Sequence, residues 1–194
     1  TPYIYEGEEL GMTNAHFTSL DQYRDLEAIN AYRQRVEEAR CQSSESMMAA
    51  LALIGRDNAR TPMQWDASRY AGFTPADAAT EPWIGVNPNH VEINAAEEFD
   101  DPDSVYGFYK KLIAMRHDSA TVATGEWNLV AADSEQVYAF TRTSGDDTIL
   151  VVVNLTDESA GLPGEVAELL GDGVAESQIL LSTYDVAHGV KSIA

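Results

Sequence analysis

Apolar positions in the first part of the chain recur at helical spacing, and beyond residue 118 they change to short β-type runs. Leu20, Tyr23, Leu26, Ile29, Tyr32 and Val36 follow one another at three- and four-residue steps. This predicts an amphipathic helix over residues 20–39 with Ser19 as its N-cap. A second helix is expected over residues 43–54, with Met47, Met48, Leu51 and Ile54 inward and Gly55 closing it. Residues 56–90 carry Pro62, Pro75, Pro82, Pro88, Gly72 and Gly85. They predict a long irregular segment, of the kind compact domains keep for function. A third helix should start at Asp101-Pro102, with the acid as cap and the proline in the first turn. Val105, Phe108, Leu112 and Met115 would be its buried stripe, and Arg116-His117 suits the negative end of its dipole. Beyond Ser119, residues 125–130, 136–143, 148–155 and 179–181 read as strands of an all-β sandwich of at least four strands. The unbroken Ile149-Leu150-Val151-Val152-Val153 predicts a strand covered on both faces.

At the other end, Tyr3, Ile4 and Tyr5 are β-formers, with Pro2 tolerable at a strand start. A chain of 194 residues that opens inside a strand, without an initiator methionine, is expected to be an excised segment; an ordinary edge strand is the alternative. The organisation predicted is α/β over residues 1–118 followed by all-β over residues 119–194.

Charge narrows the function classes. There are 32 acidic against 12 Lys and Arg residues, a formal net charge of −20. That excludes a generic nucleic-acid binder and disfavours an anionic membrane surface, since both are held by basic residues. No run of 18 apolar residues is available for a bilayer. The single cysteine, Cys41, excludes an internal disulfide. A soluble, cytoplasmic chain is expected.

Candidate chemistry lies in the loops. Glu6, Glu8 and Glu9 cluster around Gly7. Acid–base work, however, needs two carboxylates in different environments across a substrate, so these are expected to be hydrogen-bonded structural acids. No His- or Asp-rich spacing suggests a metal, no phosphate loop or nucleophile elbow occurs, and no cofactor is expected. The informative string is Arg56-Asp57-Asn58-Ala59-Arg60-Thr61-Pro62-Met63-Gln64-Trp65. Its two guanidiniums could grip sugar hydroxyls or a carboxylate, and the indole could take the C–H face of a pyranose. Equally, it could be a surface Arg–Asp network capping the preceding helix, with Trp65 in the core.

That string resembles the alpha-glucosidases of the alpha-amylase superfamily, the oligo-1,6-glucosidases and their sucrose- and trehalulose-handling relatives above all. The likeness is carried also by Thr1-Pro2-Tyr3-Ile4-Tyr5-Glu6-Gly7-Glu8-Glu9-Leu10-Gly11-Met12-Thr13-Asn14, Tyr23-Arg24-Asp25-Leu26-Glu27, Pro82-Trp83-Ile84-Gly85-Val86-Asn87-Pro88-Asn89, Phe108-Tyr109-Lys110-Lys111-Leu112-Ile113 and Val153-Asn154-Leu155-Thr156. It implies that residues 1–118 are the last β/α unit of a TIM barrel with its long insertion. Residues 119–194 would be the antiparallel β-sandwich called domain C, lacking its last strand. A whole barrel needs about 250 residues, so the resemblance implies the C-terminal part of a larger enzyme.

The resemblance further implies a retaining glycoside hydrolase acting at the non-reducing end of short oligosaccharides, with its catalytic carboxylates upstream and none in this chain. Arg56 would donate to the hydroxyls of the terminal glucose, Arg60 would face the next sugar, and Glu27 would reach the leaving-group sugar. Glu6 stands where relatives carry Gln, and Ala31 where some yeast relatives place an Asn. The expected partners are the oligosaccharide, the N-terminal part of the barrel and, without it, a second copy of this chain. The alternative is a non-catalytic amylase-like scaffold or binding module; the intact arginine string and the lack of a membrane segment disfavour it.

Overall fold

A computed structural model describes residues 2–171, 179–183 and 192–193. The chain divides into two compact units, Thr1–Lys110 and Lys111–Ala194.

The first unit is built on helices and loops. The single helix expected over residues 20–39 is broken into a 3-10 turn, Leu20–Gln22, a helix α1, Leu26–Tyr32, and a π-helical continuation, Arg33–Glu38. The break has a tertiary cause. The backbone N–H groups of Arg24 and Asp25 donate to the Asp57 carboxylate at 2.6 and 2.8 Å, and so are withdrawn from the carbonyls of the preceding turn. Asp25, not Ser19, is then the N-cap of α1, accepting the Glu27 N–H at 3.1 Å. Ser19 and Thr18 instead donate their N–H groups to the Gln22 side chain. Leu26, expected inside, is exposed.

Helix α2, Ser44–Ile54, forms where expected, with Met47 and Leu51 buried and Gly55 following; Ser43, expected as its first residue, is its cap. Ile54 departs from expectation and faces solvent. Gly55 does not close the helix by a left-handed turn, since its φ is −65°. The constraint is space, because a Cβ there would lie 2.5 Å from the Leu51 carbonyl and 3.3 Å from the Tyr23 ring. The orphan carbonyls of the last turn of α2 go to two asparagines. Asn58 donates to Ala52 at 3.1 Å, and Asn14 donates to Leu53 at 2.8 Å. Asn58 also accepts the Ala15 N–H at 3.2 Å, tying the N-terminal loop to the same helix end. Ala15, Phe17, Tyr23, Ala28, Met47, Leu51 and Ile84 form the buried cluster beneath these elements.

The long segment after α2 is irregular, as expected, with 3-10 turns at Arg56–Arg60 and Pro88–Val91. A short helix α3, Ala95–Glu98, is capped by Asn94. Helix α4, Val105–Asp118, ends where predicted but begins later. Its cap is Ser104, whose hydroxyl accepts the Gly107 N–H at 3.0 Å, whereas Asp101 turns back to accept from Asp103. The stripe expected to be buried is mostly open, with Val105 and Leu112 exposed and Phe108 and Met115 half-buried. The opening strand is absent: residues 2–5 enter no sheet among the described residues, and Tyr3, Ile4 and Tyr5 are exposed. A strand is stabilised by its ladder partners, which propensity alone cannot supply.

In the second unit two helices missed in the sequence appear, α5, Ala120–Thr124, and α6, Gly164–Leu170. Strands β1, Glu126–Val130, β2, Val137–Ser144, and β3, Asp147–Asn154, make an antiparallel sheet in the order β1-β2-β3. Gly145, at φ +61°, sits in the two-residue turn between β2 and β3, which pair Ser144 with Asp147. A second pair joins β4, Ala160–Gly161, to β5, Ser192–Ile193. Residues 179–181, expected as a strand, are not in one. The remainder of the expected sandwich, residues 172–178 and 184–191, lies outside the described residues.

Register sorts the sheet into two faces, because side chains alternate along each strand. Val137 and Ala139, the latter opposite Val152, pack with Val130, Ala131, Ala160 and Val166 of α6. The other face carries Trp127, Leu129, Tyr138, Phe140 and Val153, of which Trp127 and Phe140 lie 6.3 Å apart. Most of this face is open, so the run 149–153 is half-buried and not covered on both sides.

Truncating Leu51 to Ala removes a buried side chain from the cluster between α1 and α2. We expect a loss of about 2–5 kcal/mol, read as a fall in the urea midpoint of the helical signal at unchanged slope.

Candidate functional site

The start of α1 and the 3-10 turn that follows α2 converge on one network of charges. Its centre is Asp57, whose side chain is fully buried. One oxygen takes the two backbone N–H groups that start α1; the other lies 2.7 Å from Nη2 of Arg60. A carboxylate without water is costly unless it is paired and hydrogen-bonded, and here it is both.

Asp25 is nearly as buried and meets Arg56 as a fork. Nε donates to Oδ2 at 3.0 Å and Nη2 to Oδ1 at 2.7 Å. Two parallel bonds fix the plane of the guanidinium as well as its position. Nη2 also stands 2.9 Å from Glu27 Oε2, and Arg60 Nη2 is 3.9 Å from Asp25 Oδ1. The Arg56 side chain remains 64% exposed, and Nη1 has no partner among the described residues. The result is a guanidinium of fixed orientation, anchored by one buried acid, Asp25, and one exposed acid, Glu27. Hydrogen bonding from Arg56 holds the Asp25 carboxyl below its ordinary range against the opposing effect of burial.

Beside the network, Arg60 places its guanidinium carbon 6.0 Å from the centre of the Trp83 ring. Arg24 Nε donates to the Trp83 carbonyl at 2.9 Å, and the ring is 62% exposed. The Tyr23 phenol, buried beneath, is raised by burial and then by the charge of Asp57.

The structure thus brings together all three residues singled out in the sequence: Arg56, Arg60 and Glu27. The sequence missed Asp25 and the indole of Trp83. Asp25 had a readable signal, an N-cap acid two positions before Glu27; Trp83 had none at that distance along the chain. Trp65 is not a core residue, being 52% exposed. Of the clustered acids, Glu8 accepts the Tyr5 N–H at 3.0 Å and Glu9 the Gly7 N–H at 2.9 Å, which are structural roles; Glu6 is exposed. Among the described residues no group of three or more His, Cys, Asp or Glu is arranged to hold a metal ion, and no helix is long and apolar enough to cross a membrane.

Comparison with known proteins gives this geometry a family. Residues 1–125 match the alpha amylase catalytic domain, and residues 128–176 match the maltogenic amylase C-terminal domain. An oligo-1,6-glucosidase of Bacillus cereus is 42% identical over 191 residues, which is 97% of this chain and 32% of that protein. Among solved structures, a trehalose-6-phosphate hydrolase of Bacillus licheniformis superposes with a TM-score of 0.84 at 38% identity, covering 100% of this chain and 34% of its own. A trehalulose synthase gives 0.80 at 40%, covering 100% and 34%. The chain belongs to the alpha-amylase family, and comprises the end of the catalytic domain with the C-terminal domain behind it. It spans about a third of the length of the curated relatives it matches.

Asp25→Asn tests the fork. The folded-state pKa of Asp25 lies below the unfolded value, so its contribution to stability is complete above the unfolded pKa, about 3.9, and is lost as pH falls through the folded one. We expect the variant to be less stable than the native chain at pH 7, with the gap narrowing below about pH 4, in unfolding free energies measured from pH 7 to pH 2.

Proposed function

We propose that this chain forms the sugar-gripping end of a retaining alpha-glucosidase of the oligo-1,6-glucosidase type, which hydrolyses α-glucosidic bonds at the non-reducing end of short oligosaccharides. The observation that carries the reading is the Arg56 fork, a fixed guanidinium with one free edge held by Asp25. The family match and the name of the Bacillus cereus relative support the reaction class. In this reading residues 1–118 close the barrel and residues 119–194 are domain C.

Each side chain has a separate task. Nη1 of Arg56 donates to hydroxyls of the terminal glucose while Nε and Nη2 stay committed to Asp25. Arg60, held by Asp57, faces the next sugar. Glu27 is exposed and two residues into α1, which suits an acceptor for hydroxyls of the leaving group. Retention requires a nucleophile and an acid–base carboxyl about 5–5.5 Å apart, and we assign neither to this chain. Active sites of barrels sit at the C-terminal ends of their strands, on loops, which suits the insertion between residues 14 and 100. The exposed Tyr3, Ile4 and Tyr5 suit docking on the rest of the barrel, or on a second copy where that is missing. The free, exposed thiol of Cys41 suits a reducing, cytoplasmic setting.

Two outcomes are expected. The purified 194-residue chain should not hydrolyse 4-nitrophenyl α-glucoside; measurable turnover would overturn the assignment of catalysis elsewhere. In an enzyme joining this chain to a complete barrel, Arg56→Ala should lower kcat/KM by the equivalent of about 2–4 kcal/mol, as charged hydrogen bonds are lost. A change of less than about tenfold would remove Arg56 from the sugar site.

A further inference from the structure

We infer that Trp83 is a specificity-determining residue of the same site, a platform on which the ring of the leaving-group sugar lies; this rests on the glycosidase reading given above. Three indoles of the chain are at least half open or nearly so, namely Trp65, Trp83 and Trp127, and only Trp83 has a guanidinium of the arginine network beside it. Its backbone is pinned on the C-terminal side. Arg24 Nε holds its carbonyl at 2.9 Å, and the next residue, Ile84, is 3% exposed in the core between α1 and α2. The ring is therefore exposed without being loosely placed.

The chemistry of the surroundings selects the ligand. An indole presents an apolar face that matches the axial C–H groups of a pyranose, and polar groups at its edge take the equatorial hydroxyls. Arg60 lies over one face of the ring, its guanidinium carbon 6.0 Å from the ring centre, and the 62% exposure of Trp83 leaves indole surface beside that cation for a sugar. Arg60 and Arg56 approach the same oxygen, Oδ1 of Asp25, at 3.9 and 2.7 Å, and of the two it is Arg60 that stands against Trp83. If Arg56 grips the terminal glucose, Trp83 is left for the neighbouring unit. A flat hydrophobic surface beside a cation suits a neutral, hydroxyl-rich ring, and the net charge of −20 disfavours an anionic one.

The test uses an enzyme in which this chain is joined to a complete barrel, and two substrates that share the terminal glucose. Isomaltose has a sugar leaving group, whereas α-glucosyl fluoride has a single atom that cannot reach Trp83. Trp83→Ala should lower kcat/KM for isomaltose about tenfold, leave the fluoride within about twofold, and act mainly on KM. Trp83→Phe should recover most of the loss. An equal loss on both substrates, or no loss on isomaltose, would overturn the proposal. Arg56→Ala separates the two readings, because it should depress both substrates alike; if it does and Trp83→Ala fails to discriminate, the platform alone is wrong.

Discussion

A buried carboxylate, Asp57, determines where the helix of the site begins and where one of its arginines points. Its two oxygens have unlike partners: one takes the backbone N–H groups of Arg24 and Asp25, the other the guanidinium of Arg60. The first contact ends one helical turn and starts α1 at the next residue, which puts Asp25 at the cap and Glu27 in the first turn. The second orients Arg60 toward Trp83. Local structure and candidate chemistry are therefore set by one side chain, and Arg56 follows as the partner of the acid that Asp57 has positioned.

This contact also explains which parts of the molecule were legible in the sequence. Short β-rich runs separated by turn residues located β1, β2 and β3 to within about two residues, the usual uncertainty of such boundaries. The helix α2 was readable from the spacing of Met47, Met48 and Leu51 and from the glycine that follows it, although Ile54 faces solvent. By contrast, the periodicity of residues 20–36 was real but misread as one helix. The group that breaks it lies some thirty residues downstream, at Asp57, and period alone carries no information about a partner at that range. The helices α5 and α6, of five and seven residues, were too short for a period to register. The strand expected at residues 2–5 failed for a related reason, since ladder partners must come from elsewhere in the fold.

The arginine string itself was legible as chemistry, but its meaning was not. The sequence left a helix-capping ion network and a sugar site as alternatives, and the structure shows the ion network. Asn58 does cap α2, and Asp57 does pair with Arg60. The same arrangement leaves the Arg56 side chain 64% exposed, with Nε and Nη2 committed to acids. The two readings do not compete, since the buried acids that satisfy the fold also hold the arginines on which the proposed binding role depends.

The unequal exposure of these ion pairs sets how the molecule responds to salt. Mobile ions screen the Arg56–Glu27 contact, whose partners are 64% and 80% exposed, while the sealed end of the Asp57–Arg60 contact is shielded from them. At the same time they relieve the self-repulsion of a chain carrying twenty excess negative charges. A brine would thus slacken the outermost acid and calm the surface as a whole, leaving the inner anchor as firm as before.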